Sequence, residues 1–153
     1  TTKYYAHDSF PATPDYFLTK ALIEASIITQ KNHAGKLFIG LSASSDAFYG
    51  ETPELQRMVI NHKVLNMEME SSAIYVIAHM RGLKSGMVCA VSGNLATGDV
   101  IYDRENTGLI QGWEDAIKAA LEAIYLYETQ GYDQISAQYQ PDFDYAIRYF
   151  PKY

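Results

Sequence analysis

The sequence predicts a three-layer α/β domain. Three observations carry that expectation. Segments with apolar residues at helical spacing alternate with short apolar runs. Small polar residues follow each run, where α/β folds meet their ligands. No internal repeat or low-complexity tract breaks the order.

Thr13-Pro14-Asp15 reads as a helix opening: Thr can cap, Pro suits the first turn, and Asp complements the dipole. Phe17, Leu18, Ala21, Leu22, Ala25 and Ile28 then recur on one face, until Gly35. Lys36 to Leu41 reads as a buried strand, followed by the small polar run Ser42 to Asp46. Glu54 to Lys63 reads as a short helix, and Val64 to Met67 as a short strand turning into Glu68-Met69-Glu70-Ser71-Ser72. A second clear helix carries Ala73, Ile74, Val76, Ile77 and Met80, ended by Gly82. Gly86 to Val91 is expected to be a second buried strand, with Cys89 an inert core thiol, followed by Ser92-Gly93-Asn94 and a polar loop. The longest helix spans Leu109 to Tyr127, with Ile110, Trp113, Ile117, Leu121 and Ile124 on one stripe. After Gly131 the composition turns to Gln, Asp and Tyr. Residues 131–153 therefore read as a Tyr-rich extension, irregular or partly helical, beyond a main unit of residues 1–130. Three or four strands are few for a sheet covered on both faces, so the chain is expected to complete a larger sheet.

The 153 residues are enough for one compact domain. The 48% apolar and 20% charged composition is that of a globular chain, and no apolar run approaches the roughly 18–20 residues of a membrane helix. A net charge of −6 without a Lys or Arg block argues against a nucleic-acid partner. A single cysteine excludes an internal disulfide and points to a reducing, cytoplasmic setting. His7, His33, His62 and His79 show no metal-ligand spacing, so neither metal nor cofactor is expected. There is no dinucleotide fingerprint, P-loop or nucleophile elbow. The start, Thr-Thr-Lys, reads as a processed end, a cut edge or a fragment.

Three constellations carry candidate chemistry. Glu68-Met69-Glu70 places two carboxylates two residues apart, on one side of an extended segment, with a thioether between them. Such a pair can accept hydrogen bonds from a vicinal diol while Met packs on a sugar. The same residues also suit a helix start, where Glu complements the dipole. Ser44-Ser45-Asp46-Ala47-Phe48-Tyr49 offers small hydroxyls and a stacking ring, or a capped turn over core aromatics. Ser92-Gly93-Asn94 offers a close backbone approach and an amide, or simply a turn.

Taken together, Ser44 to Tyr49, Asn66-Met67-Glu68-Met69-Glu70-Ser71-Ser72-Ala73 and Gly82 to Val88 resemble the nucleoside phosphorylase family, and most closely its uridine-cleaving branch. Phe10-Pro11-Ala12 and Leu22-Ile23-Glu24-Ala25 fit as well, so the resemblance covers roughly residues 4–125. It implies a three-layer α/β/α fold with a mixed central sheet, of which this sequence carries the C-terminal portion. It implies a pentosyltransferase that uses inorganic phosphate as co-substrate to cleave a nucleoside, uridine first, into ribose 1-phosphate and free base. Carried over, Glu70 grips ribose hydroxyls as the catalytic carboxylate, Met69 packs on the sugar with Glu68 beside it, Phe48 stacks near the base, and Ser92 and Asn94 lie at the substrate. Homo-oligomers of nucleotide salvage are implied, with no nucleic-acid or membrane partner.

The departures from the family pattern are specific. Purine-preferring members carry Ser-Asp where this chain has Ser92-Gly93, with Asn94 next. The Gln and Arg that bind uracil have only Gln56 and Arg57 as nearby counterparts, and the Arg expected after the Asn is Leu95. The family's phosphate cluster has no match here, which leaves a C-terminal half needing an N-terminal half, joined or separate, or a relative without catalysis. The alternatives are a purine nucleoside phosphorylase, a nucleosidase, or an inactive nucleoside-binding or storage protein.

Overall fold

Asp15, rather than Thr13, caps the first helix. Its Oδ1 accepts the Leu18 N–H at 2.8 Å, and the helix α1 runs over Tyr16–Gln30. Both residues can cap, but only Asp15 is adjacent to the first helical residue, where its short side chain reaches the orphan amides. The computed structural model describes residues 6–7, 9–31, 35–50, 52–94, 97, 99–100 and 107–139. The remaining elements are β1 (Ser42–Ser44), α2 (Pro53–Asn61), β2 (Asn66–Glu68), α3 (Ser71–Met80), β3 (Gly93–Asn94), β4 (Asp99–Val100), α4 (Thr107–Thr129) and α5 (Tyr132–Tyr139). The fold is α/β: β1 and β2 pair in parallel, β3 and β4 antiparallel, and helices flank them.

The register of the parallel pair is Ser42 beside Asn66, Ala43 beside Met67 and Ser44 beside Glu68. Asn66 Nδ2 donates to Ser42 Oγ at 3.0 Å, reinforcing it from the side chains. The ladder thus falls on the small polar run, one step past the predicted strand. Residues 36–40 form no ladder and make no backbone hydrogen bond to another described segment; the Leu65 N–H reaches only Leu41, at 2.9 Å. The expectation of a buried strand is corrected here. Phe38, Ile39 and Leu41 are exposed, because no described element lies over them.

Residues 86–91 likewise form no ladder with a described segment, and this second strand is also corrected. One side of the segment is closely packed. A Cβ at Gly86 would sit 2.6 Å from Leu22 Cδ1 in α1, and one at Gly112 in α4 would sit 3.1 Å from Ala90 Cβ. The other side is open: Val91 and Cys89 are exposed, so Cys89 is not the inert core thiol expected.

The core lies between α1 and α4, the most extensive contact in the fold. It is built from small side chains, Ala21 and Ala25 against Ala123, with Leu126 and Tyr127 beside them. This reverses the expected orientation of α4. The stripe Ile110, Trp113, Ile117, Leu121 and Ile124 faces outward, and the alanine side faces α1. Alanines let two helices approach closely and bury backbone and side chain alike, which a leucine-rich face cannot do at the same spacing.

Gly131, at φ 70°, makes the turn from α4 into α5, a left-handed conformation that favours glycine. Tyr132 then enters the same core, stacking on Phe17 at 6.0 Å while its hydroxyl reaches both oxygens of Glu24 at 3.3 and 3.2 Å. Lys84 ties three elements together. Its ammonium lies 3.8 Å from Asp15 and 3.7 Å from Asp133, and over the Tyr127 ring at 5.4 Å. Within the Tyr-rich stretch, residues 140–153 lie outside the described part.

Ala25→Leu, which overfills the α1–α4 contact, is expected to cost about 1–3 kcal/mol of stability in urea denaturation. Ile117→Ser, on the open side of α4, is expected to stay within about 0.5 kcal/mol in the same assay on this chain. Equal costs would contradict the orientation of α4.

Candidate functional site

The turn from β2 into α3 carries the chemistry. Glu68 ends the strand, and Ser71 begins the helix three residues later. The parallel register brings Ser44 directly beside Glu68. Four donors then converge on one carboxylate. Oε1 accepts the hydroxyl of Ser44 in a short contact and that of Ser71 at 2.6 Å. Oε2 accepts the N–H of Glu70 at 2.9 Å and that of Ser71 at 2.5 Å. An ionised carboxylate offers about four lone-pair sites, so Glu68 is saturated by its own chain.

Ser44 both donates and accepts. Its Oγ accepts the Ser72 N–H at 3.0 Å. With both hydroxyl protons aimed at Glu68, the 3.1 Å approach of Ser44 Oγ to Ser71 Oγ carries no proton of its own. The first amides of α3 therefore find acceptors in two side chains from β1 and β2, although no side chain at the helix cap itself serves them. The positive end of the helix dipole also faces the Glu68 charge. Burial pushes the Glu68 carboxyl up, but the hydrogen bonds from Ser44, Ser71 and the two amides outweigh it and hold the group below its ordinary value of 4.5.

The Glu70 carboxylate, unlike its backbone N–H, takes no part in that network. It is exposed, and its Oε2 accepts the Met69 N–H at 3.1 Å. It overlooks a cavity of about 190 Å3. Glu68, Glu70 and Ser71 form the polar side of this cavity; Ile74 and Tyr75 of α3, with Gly86, Met87 and Cys89, form the rest. Burial pushes the Tyr75 hydroxyl and the Cys89 thiol up in pKa, and the neighbouring Glu68 charge adds to both.

Of the residues singled out in the sequence, the structure brings Glu68 and Glu70 to this cavity. Met69, between them, is partly exposed and does not line it. Phe48, Ser92 and Asn94 are also not among the described residues lining it. Phe48 opens a single helical turn, Phe48–Gly50, with its ring edge-on to Tyr49 at 5.3 Å. Ser45 follows the capped-turn pattern: its N–H donates to the Glu68 carbonyl at 2.8 Å, and its Oγ accepts the Ala47 N–H at 3.4 Å. Asn94 ends β3, where its carbonyl accepts the Thr97 N–H at 3.2 Å. Arg57, in α2, pairs with Glu54 at 2.8 Å, and Leu95 lies outside the described residues.

The sequence reading missed Ser44 and Ser71 as holders of Glu68, and Tyr75 and Cys89 as cavity walls. Only a strand register could have revealed Ser44, whereas Ser71, three residues after Glu68, is a local donor at the helix start. Among the described residues, no group of three or more His, Cys, Asp or Glu is placed to hold a metal ion. No described helix is long and apolar enough to cross a membrane.

The phosphorylase superfamily matches residues 2–125. A uridine phosphorylase of Treponema pallidum is 33% identical over 145 residues, covering 85% of this chain and 52% of that protein. A uridine phosphorylase of Thermococcus kodakarensis is 34% identical over 112 residues, 65% of this chain and 39% of the relative. A DeoD-type purine nucleoside phosphorylase of Roseobacter denitrificans is 31% identical over 106 residues, 68% of this chain and 43% of the relative. The crystal structure of purine nucleoside phosphorylase from Toxoplasma gondii, in complex with immucillin-H, superposes with a TM-score of 0.62 at 21% identity, over 80% of this chain and 48% of that one. The chain thus spans about half the length, or less, of these relatives.

Ser44→Ala is expected to cost about 1–2 kcal/mol in urea denaturation, through the lost acceptor for the Ser72 amide and the lost donor to Glu68. The Glu68 carboxyl is held below its ordinary value in the folded state, so its stabilisation is complete above pH 4.5 and is lost as the pH falls below that value. The stability gap between the wild type and Glu68→Gln should accordingly be widest near neutral pH and narrow on acidification. A gap that widens in acid would contradict the network.

Proposed function

The chain belongs to the phosphorylase superfamily, and from that membership we propose that it is the sugar-holding part of a nucleoside phosphorylase, cleaving uridine with inorganic phosphate. The observation that carries the proposal is the division of labour between the two carboxylates. Glu68 is saturated by internal donors, whereas Glu70, two residues on, overlooks the cavity. Occupied ligand sites run from about 300 Å3 upward, so a cavity of about 190 Å3 suits one part of a nucleoside, such as its ribose, rather than the whole.

In this proposal Glu70 accepts hydrogen bonds from the ribose hydroxyls. A phosphate oxygen attacks the anomeric carbon, the glycosidic bond breaks, and its electron pair leaves with the base. Positive charge builds on the sugar between those events, and a carboxylate fixed nearby stabilises it more than it stabilises the neutral nucleoside. Glu68 is then a positioning residue: it fixes the β2–α3 turn from which Glu70 projects. Met69 packs on the sugar face, and Phe48 belongs to the base region beyond the cavity. Ser92 and Asn94 are assigned to the same outer region. No cofactor enters this reaction; phosphate is a substrate.

The preference for uridine rests on Ser92-Gly93, which lacks the acidic residue expected in the purine branch. Relatives of both names match, so inosine and guanosine are the comparison substrates. Phosphate binding is assigned to the other half of the domain, so catalysis is proposed for the completed domain, assembled as a homo-oligomer.

Glu70→Ala in the complete enzyme is expected to lower kcat/KM for uridine phosphorolysis roughly 10–150-fold, the equivalent of about 1.4–3 kcal/mol of transition-state contact. Base release followed by absorbance, with and without phosphate, checks it. A loss of twofold or less would remove the ribose role, and faster turnover of inosine or guanosine than of uridine would overturn the base preference.

A further inference from the structure

The Glu70 side chain is tied to no other element among the described residues: its carboxylate accepts the N–H of Met69, the residue before it, at 3.1 Å. Its aim at the cavity is therefore set by its backbone. That backbone is held on both sides. The Glu70 carbonyl accepts the Ile74 N–H at 3.1 Å, at the start of α3, and the Glu70 N–H donates to Glu68 Oε2 at 2.9 Å. Glu68 is in turn gripped from β1. The Ser44 hydroxyl donates to Oε1, and the Ser45 N–H donates to the Glu68 carbonyl at 2.8 Å.

Three successive amides at the start of α3 need acceptors, and an ionised carboxylate is the strongest one nearby. Glu70 and Ser71 use Glu68 Oε2, whereas Ser72 uses Ser44 Oγ at 3.0 Å. The same oxygen of Ser44 thus donates to Oε1 and keeps the third amide off the carboxylate. Without that hydroxyl, Oε1 loses a donor and the Ser72 amide loses its acceptor at one place. A carboxylate that turns to serve Ser72 gives up its bond to Glu70. Ser71 is no substitute, because its hydroxyl is already engaged with Oε1 at 2.6 Å.

We propose that Ser44 is a positioning residue for Glu70, acting through Glu68, so that a hydroxyl at the end of β1 sets the aim of the carboxylate that faces the cavity. This role is separate from the contribution of Ser44 to stability. A residue that served stability alone would lower the folded fraction by the same factor whatever side chain stood at position 70. A residue that acts through Glu70 loses its effect once the Glu70 carboxylate is gone. The kinetic consequence rests on the ribose role proposed for Glu70; the placement of the Glu70 backbone does not.

The test has two arms. In the 153-residue chain, Ser44→Ala is expected to speed hydrogen exchange of the Glu70 amide roughly fivefold or more relative to amides of the α1–α4 core, and Ser44→Thr, which keeps the hydroxyl, to leave that ratio unchanged. In the complete enzyme, Ser44→Ala is expected to lower kcat for uridine phosphorolysis roughly 5–20-fold with KM within about twofold, and Ser44→Thr to restore most of it. In a Glu70→Ala background the same Ser44→Ala change should cost less than about twofold. An unchanged Glu70 amide ratio would overturn the proposal whatever the kinetics. So would a Ser44→Ala cost that is the same with and without the Glu70 carboxylate, or a Ser44→Thr variant as slow as Ser44→Ala. A Glu70→Ala enzyme of nearly full activity, with the Glu70 amide responding as expected, removes the ribose role and leaves the positioning role standing.

Discussion

One carboxylate holds the centre of this structure. Glu68 sits where β2 becomes α3, and its oxygens collect hydroxyls from Ser44 and Ser71 and amides from Glu70 and Ser71. Each bond would be modest alone, since folding exchanges it for a bond to water. Together they join three separate pieces of chain: the end of β1, the end of β2 and the first turn of α3. The charge also lies at the positive end of a helix, where it is favoured over any neutral acceptor. A saturated carboxylate has no capacity left for a ligand, and that is what separates Glu68 from its neighbour Glu70.

The rest of the fold places a wall opposite that turn. Gly86, Met87 and Cys89 close the cavity, and their segment is held from behind by two close approaches, Gly86 against Leu22 of α1 and Ala90 against Gly112 of α4. Side chains larger than hydrogen at either glycine would crowd the approach, so the absence of a Cβ is a packing requirement. Lys84, between Asp15 and Asp133, anchors the same segment to the start of α1 and to α5. Burial opposes the Lys84 charge, but Tyr127 and the two carboxylates outweigh it and raise its pKa above the ordinary value. The cavity is thus a consequence of helix packing on one side and of strand-to-helix capping on the other.

The largest differences between sequence and structure share one cause. The stripe on α4 and the apolar runs at 36–41 and 86–91 are correctly apolar and correctly periodic, yet they face outward or stand without strand partners among the described residues. Periodicity reports that a face avoids water; it carries no information about what will cover it. Helix α4 has two candidate faces, a large apolar one and a small alanine one. Packing selected the second for α1, because Ala21, Ala25 and Ala123 allow the closer approach. Cys89 follows from the same cause: it stands in an apolar run, but the run is open on its side.

Local chemistry was legible in the residues themselves. The helices at α1, α2, α3 and α4, the stop at Gly82 (φ 65°) and the acidic turn Glu68-Met69-Glu70 follow from spacing, capping and backbone preference over a few neighbouring residues. The motifs around that turn also pointed to the family. The sequence could not say which of the two acids would be consumed by the fold. Their types are identical and their spacing is symmetric about Met69. The parallel register that sets Ser44 beside Glu68 joins residues 24 positions apart, and that long-range pairing adds the Ser44 hydroxyl to the local donors of Ser71 and Glu70; together they engage one acid and leave the other to the cavity. Three of the four donors to Glu68 come from the next three residues, but the fourth, Ser44, and the burial of the turn are properties of neighbours in space, and those were decided by tertiary structure.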